Sequence, residues 1–528
     1  MKYLALTIGP IYETFVQTKK TRAVWAASYF FSWFMKQLTI QTNKAGFKIL
    51  MPALNGKDIV FVSNHGSGLY ADRIYFELSE KTKKELEDIV RSLISDVAKN
   101  IDEKNRENID NYLSQYLNIH IVELEEKKEK VLKTLNDRLD QKELAQNYAF
   151  ENETNYLLQF FEQKINESFL AEDAFSDKKN KRKFLSIPEI ATTTLFRTGD
   201  KVNYIEAVRE SFNKKEDIQL MDVLKERNFD ILPYHKYYAV LYADGDYIGK
   251  NILMHKDVAS DFDKLRGFSE QIFKFGQQAE AKIAQYGGNG IYLGGEDILA
   301  FLPIACINEA KTENEKETHT IFNLIHELDI SFDNTVGTFA KKNNLTPPTL
   351  SYGIMISYVK HPLREAMQIA HDLMEYNAKE KHCKNAVAMR FQKHSGQYMQ
   401  CCIEKSKFCS WNNIKELVKE YTIKINDSNK EPRKSNADLL SGVIHRLKDD
   451  MYFEVFACAA RENRLEPFFE NFFDEKVHKD VDNPKNKFLK HIRELSEKVF
   501  NDYPDNQQCR DILFTVLRYV HFINSDKD

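Results

Sequence analysis

The chain has 528 residues, 42% of them hydrophobic and 29% charged, proportions that exclude a disordered or collagen-like polymer. At about 150 residues per domain this length predicts roughly three or four domains. Lys and Arg number 75 against 79 Asp and Glu, so the formal net charge is −4 and no global basic excess advertises nucleic-acid binding.

Along the chain, Tyr3–Ile8 alternates loosely and predicts a strand that Gly9-Pro10 ends. TRAVWAASYFFSWFMKQL (Thr21–Leu38) lacks Gly and Pro and is apolar on more than one side, which predicts a buried helix. Lys48–Leu54 and Asp58–Val62 read as strands. The glycine-bearing loop SNHGSGLYAD then leads to a strand at Arg73–Leu78 and a helix from Glu80 to about Lys99. Strand–helix–strand alternation predicts a small α/β unit over residues 1–125. From about Lys127 to Lys183, charges interleave with apolar residues at helical spacing, so residues 126–233 are expected to form an exposed helical insert. Its most basic run, Lys178–Lys183, reads either as a solvated loop or as an RNA-backbone contact.

A second α/β block begins near Tyr234. YHKYYAVLYADGD is β-rich, Phe262–Ala284 is helical, and GIYLGGEDILAFLP reads as strand–turn–strand. A helix over Asn314–Lys341, the strand LSYGIMISYV and a helix opened by Pro362 follow. This βαββαβ order, over residues 234–395, is the split βαβ arrangement of a ferredoxin-like domain. Beyond about Phe391 the chain reads as helical, giving a helical domain over 396–528 broken by the polar linker Ile425–Asp438. No short-period repeat is visible.

No apolar run reaches the ~18 residues that span a bilayer. The apolar opening is also too short for a signal peptide. Seven cysteines without a CxxC argue against a disulfide framework. Cys401, Cys402 and Cys409 read either as a fragment of a metal site or as buried thiols. A reduced, cytoplasmic protein without membrane contact is the expectation.

Two segments concentrate the chemistry. In LYADGDYIGK a β-run ends in Asp244 and Asp246 flanking Gly245, and Gly249 and Lys250 open the next helix. In YLGGEDILAFL two strands meet at Gly294-Gly295, followed at once by Glu296 and Asp297. Paired glycines let a backbone turn tightly and approach a ligand. Carboxylates on neighbouring strands can share a divalent ion, and Mg²⁺ prefers a few carboxylates plus phosphate oxygens. Such a cluster clamps a triphosphate and lowers the pKa of an attacking hydroxyl. Each segment alone also fits a solvent turn; together, at the ends of apolar strands of one unit, they point to a site.

DGD followed by GGED in this setting resembles the nucleotide-cyclase palm of the large subunit of type III CRISPR RNA-guided complexes, whose hairpin usually reads GGDD. The opening IGPIYETFVQTKKTRAVWAASYFFSWFM resembles the first palm of the Cmr (III-B) branch, with its Gly-Pro before KTR-x-x-W-A-x-S. SIPEIATTTLF and SYGIMISYVKHPLREAMQIAHDLMEYNAKE are similar to later segments, so the resemblance spans about Met1 to Arg390.

The resemblance implies an α+β fold: two ferredoxin-like palms, a helical insert and a C-terminal helical domain. It implies catalysis by Asp244, Glu296 and Asp297, and Mg²⁺ or Mn²⁺ held by Asp244, Asp246, Glu296 and Asp297. Gly245, Gly249, Lys250, Gly294, Gly295 and Lys379 would meet the nucleotide, with a solvated role open for each lysine. Glu296 departs from the family's Asp by one methylene and keeps the charge. No four-cysteine zinc site is expected, since the segment between the palms has no cysteine. Many members begin with an HD nuclease, whereas this chain starts at the palm. Its His371-Asp372 pair is expected at an exposed or half-buried helical position.

The implied activity is target-RNA-activated adenylyl transfer from ATP, giving a cyclic oligoadenylate or an AMP conjugate of S-adenosylmethionine. Guide RNA, target RNA and other Cmr-type subunits are the implied partners. An inactive scaffold that organises those partners is the alternative, and a diguanylate cyclase fits less well because no sensor module is visible.

Overall fold

The computed structural model of the chain describes residues 1–54, 61–126, 130–144, 154–163, 168–175, 185–193, 231–307, 318–382, 384–407, 412, 414, 441–470 and 484–524. Lys178–Lys183, Cys409 and the linker Ile425–Asp438 lie outside them.

The first unit is a four-stranded antiparallel sheet. β1 (Lys2–Gly9), buried along its centre, runs between β3 (Arg73–Leu78) and β4 (Asn118–Glu125), and β2 (Lys48–Met51) adds to β3. α1 (Ile11–Gln17) and α2 (Thr21–Lys44) connect β1 to β2, while α3 (Lys83–Ile101) and α4 (Arg106–Tyr116) connect β3 to β4. α3 starts later than its charge pattern predicts because Thr82 and Glu85 close a capping box on its first turn. β4 shows no continuous strand signal in the sequence, because its apolar alternation changes phase midway, from Ile119 and Ile121 to Val122 and Leu124. Of the strand expected over Asp58–Val62, Phe61 and Val62 are irregular and the rest lies outside the described residues.

α2 is apolar all round because it is covered all round. It packs on the sheet, on α3, and on two helices of the insert, α6 (Tyr156–Gln163) and α7 (Phe169–Ala174). α5 (Val131–Leu144) buries Val131, Leu132, Leu135 and Leu139 against β4 and β1. The described part of the insert is therefore integral to the first unit rather than an exposed arm. Its i, i+4 apolar residues form one face, and that face needs a partner.

The second unit is a six-stranded sheet in the order β12-β11-β10-β5-β7-β6. After the short helix α8 (Ile187–Ala191), which packs on β5 and β7, its first part runs β5 (Tyr237–Asp246), α9 (Phe262–Tyr286), β6 (Asn289–Tyr292), β7 (Ile298–Pro303), α10 (Ile321–Phe332) and β10 (Thr349–Tyr358), with the short ribbon β8 (Ala305–Ile307) and β9 (Thr318–Thr320) before α10. These four strands are antiparallel in the order β6-β7-β5-β10, the topology of the first unit, β2-β3-β1-β4. α11 (Leu363–Asp372) continues as a wider helix to Lys381 and crosses to β11 (Ala386–Gln392), which runs parallel to β10. α11 approaches β10 closely at Gly353, where a Cβ would meet the Ala370 carbonyl oxygen and, at 2.5 Å, the Met374 nitrogen. Gly353→Ala is expected to cost about 1–3 kcal/mol in denaturant unfolding, because backbone on both sides leaves no room to yield.

The chain does not turn helical after Phe391. It first forms β12 (Tyr398–Glu404), antiparallel to β11, and only then the helices α12 (Asp450–Arg461), α13 (Leu465–Glu470), α14 (Pro484–Asp502) and α15 (Asn506–Asn524). β12 is held because α15 covers its inner face. Cys401 and Cys402 are buried on it, and burial pushes the Cys401 thiol up to about 12, which fits packed thiols. The fold is thus mixed α/β with two main sheets and a helix-rich C-terminal region. Among the described residues no helix is long and apolar enough to cross a membrane.

Candidate functional site

The two acidic segments meet at one end of the second sheet. Ala243 of β5 pairs with Ile298 of β7, so the next positions outward, Asp244 and Gly245, stand against Asp297 and Glu296. A Cβ on Gly245 would lie 2.8 Å from Glu296 Cβ; glycine there is what lets the turn close over β5. Gly295 has φ +71°, and the Tyr292 ring lies 2.6 Å from where a Gly294 Cβ would be. The turn is therefore tight and packed.

The acids differ sharply in their surroundings. Asp246 is fully buried and accepts hydrogen bonds from Thr349 Oγ1 (2.6 Å), Ser351 Oγ (2.8 Å) and the Asn385 backbone N–H (2.9 Å). It ties β5 to β10 and to the turn before β11. Asp244 forms an ion pair with Lys379, which reaches from the helix beyond α11 and also lies 3.4 Å from Glu375. Burial, and then repulsion from Lys384, lowers the Lys379 pKa to about 8. Lys250 is exposed on the short helical turn Gly249–Leu253, and Gly249 beside it has open space around it.

Glu296 is half-buried and Asp297 keeps solvent access, yet both titrate high. Burial among their neighbours is the main cause for each; Asp72 adds repulsion to Glu296, and Glu296, Asp72 and Glu375 add it to Asp297. Asp72 comes from the first unit and is itself raised, by burial first, against the lowering influence of Arg73.

A strap over residues 61–72 brings it there. Gly68 bridges to β6, accepting from the Leu293 N–H at 2.8 Å, and Ala71 lies against Gly295. The buried Glu280 carboxylate of α9 accepts from the Asn64 and Ser67 N–H groups, both at 2.9 Å, and from the Ser63 hydroxyl. Trp25 Nε1 donates to the Gly66 carbonyl, and the Tyr70 N–H to Ser32 Oγ. The glycine and serine content of SNHGSGLYAD signals a loop. What holds it is a glutamate more than two hundred positions away, and no local pattern could assign Asp72 to the turn.

His371 lies at the end of α11, with its ring 4.9 Å from that of Tyr12 and 5.5 Å from that of Tyr242, and Asp372 beside it is half out in solvent.

Hard carboxylate oxygens are the donors that Mg²⁺ takes, so the side-chain chemistry of Asp244, Glu296 and Asp297 fits that ion. As they stand, no three Asp, Glu, His or Cys side chains among the described residues converge as a ligand set. Asp244 is turned to Lys379 and Asp246 to its three donors.

Residues 237–388, from the first residue of β5 into β11, match the family Cas10/Cmr2, second palm domain. The CRISPR system Cmr subunit Cmr2 of Pyrococcus furiosus is 26% identical over 213 residues, covering 36% of this chain and 22% of that protein. The chain thus matches only a minor part of this curated relative's length. A chain of type III-B Cmr-beta bound to cognate target RNA superposes with a TM-score of 0.55 at 10% identity, covering 99% of this chain and 83% of that one. The apo state gives 0.52 at 11%, covering 98% and 81%. These two likenesses establish a shared fold. The matched segment contains both acidic motifs and Lys379, and over that segment the chain matches the second palm domain of Cas10/Cmr2.

Proposed function

We propose that this chain is the nucleotidyltransferase subunit of a cytoplasmic type III-B CRISPR complex, making an adenylate messenger from ATP once target RNA is paired. The observation that supports it best is the meeting of Asp244-Gly245 with Glu296-Asp297 at adjoining strand ends, with Lys379 at the same place. Residues 1–125 and 234–395 would be two ferredoxin-like palms, 126–233 the helical insert and 396–528 the C-terminal helical domain. The shared strand order of the two units supports that division. Guide RNA, target RNA and other Cmr-type subunits are the proposed partners, by likeness to the target-RNA-bound complex.

In this reading Asp244, Glu296 and Asp297 would hold Mg²⁺ or Mn²⁺, which when bound neutralises phosphate charge and favours ionisation of the attacking hydroxyl. Asp246 buttresses the end of β5 through its three donors. Lys379, now paired with Asp244, supplies the ammonium that meets phosphate oxygens when a triphosphate enters. Gly294 and Gly295 let the backbone come close to it, and Gly249 and Lys250 border the same end of the strand. The hydroxyl gives its proton to solvent water, its oxygen bonds to the α-phosphorus as the bond to pyrophosphate breaks, and pyrophosphate leaves. Asp72 belongs to the site because its strap places it beside Glu296 and Asp297.

Gly245→Ala is expected to push Glu296 out of place and cut ATP turnover at least about tenfold with the fold retained, since the clash falls on two side chains, Glu296 and Ile248, and on no backbone. Circular dichroism together with turnover checks this.

The acceptor is a second nucleotide, giving a cyclic oligoadenylate, or S-adenosylmethionine, giving an AMP conjugate. The assembled complex with target RNA, Mg²⁺ and labelled ATP decides between them. A product that changes on adding S-adenosylmethionine names it as acceptor, and an unchanged product excludes it. One observation favours a second reading, the inactive scaffold: Asp244 and Asp246 are both engaged by protein groups. Absence of any ATP product from a complex that still binds target RNA would establish the scaffold.

A further inference from the structure

β6 is poorly held by its own sheet. It has four residues, lies at the sheet's edge beside β7, and its pairing with β7 shifts register between Gly290 and Tyr292. It is also the strand that leads into the Gly294-Gly295 turn carrying Glu296 and Asp297. A short, irregular edge strand leaves outer N–H and C=O groups to be satisfied and opens locally at little cost.

The strap over residues 61–72 supplies what the sheet does not. The Leu293 N–H donates to the Gly68 carbonyl at 2.8 Å, Ser67 Oγ donates to the Gly290 carbonyl at 3.1 Å, and Gly68 bridges in parallel to Tyr292. Ala71 then lies 3.8 Å from where a Gly295 Cβ would be, against the turn itself. The outer edge of β6 is thus closed by chain from the first unit.

The strap is itself irregular, so side chains must hold it. α9 does so along one face, at helical spacing. Phe273 stacks on Phe61 with ring centroids 4.4 Å apart, Gln277 Nε2 donates to the Val62 carbonyl at 2.8 Å, and Glu280 takes the Asn64 and Ser67 N–H groups. Glu280 is 1% exposed, and a carboxylate that deep is costly unless donors converge on it. They converge because the strap curls round it, with the Ser63 hydroxyl as a third donor. From the first unit's side, Trp25 Nε1 donates to the Gly66 carbonyl at 2.6 Å.

We propose that Glu280 is a positioning residue: it fixes the strap, the strap closes the edge of β6, and β6 sets where Glu296 and Asp297 stand. This rests on the nucleotide reading above and adds to it that the first unit holds the acidic turn in place. The first variant is Glu280→Gln, whose amide nitrogen cannot accept, so at least one strap N–H loses its partner whichever way the amide lies. The second is Trp25→Phe, which loosens the strap from the first unit's side.

Hydrogen–deuterium exchange of the full chain without nucleotide reads the brace. Amides of residues 289–297 are expected to exchange at least about tenfold faster in both variants, with β10 unchanged. In the assembled complex with target RNA and Mg²⁺, kcat for ATP is expected to fall at least about tenfold while KM stays within about twofold. Unchanged exchange over residues 289–297, faster exchange with wild-type kcat, or loss of protection in β10 as well in both variants each overturns the assignment. No ATP turnover by the wild-type complex, a result independent of exchange, overturns the nucleotide reading, and the assignment falls with it.

Discussion

Asp297→Asn is expected to lower Mg²⁺-dependent ATP turnover at least about a hundredfold while leaving the unfolding midpoint unchanged or raised. The two halves of this expectation share one cause. Asp297 sits among Glu296, Asp72 and Glu375, so its charge is repelled in the free protein and costs stability there. Removing that charge relieves the repulsion. The same charge is what a cation and a developing phosphoryl transition state need, so turnover is lost. Turnover in the assembled complex and thermal unfolding of the chain check the two halves separately. Retained turnover removes Asp297 from the site, and a large loss of stability contradicts the repulsion argument.

Asp246→Ala is expected to behave in the opposite way, costing about 3 kcal/mol or more of stability. It leaves the Thr349 and Ser351 hydroxyls and the Asn385 N–H around a fully buried position without their shared acceptor. Chemical denaturation reads the loss directly. The result separates the two DGD acids: a structural Asp246 lowers stability first and activity with it, whereas a pure metal ligand would lose activity with stability intact.

The comparison of sequence with fold turns on particular elements. The apolar runs before Asp244 and around Gly294-Gly295 read as strands ending in acids, and they are strands whose ends adjoin. Alternation, length and glycine placement are local properties, and the sequence displays them. Asp246 shows the limit of local reading. Spacing alone makes it the equal of Asp244, but its donors come from β10 and the turn before β11, and they turn it into a buried acceptor. Asp72 shows the same limit from the other side, since it becomes part of the site through a strap pinned by Glu280 and β6. β12 escaped because its pairing with β11 and its cover by α15 are tertiary facts. The common topology of the two units is likewise invisible as a repeat, because strand order can persist where residue identity does not.

The most direct test of the central claim is mass spectrometry of small-molecule products after mixing the assembled complex with target RNA, Mg²⁺, ATP and S-adenosylmethionine. An adenylate product that forms only with target RNA, and disappears in the Asp297→Asn complex, is the predicted result, and its mass names the acceptor. No product from a complex that still binds its target, or a product unaffected by Asp297→Asn, contradicts the account.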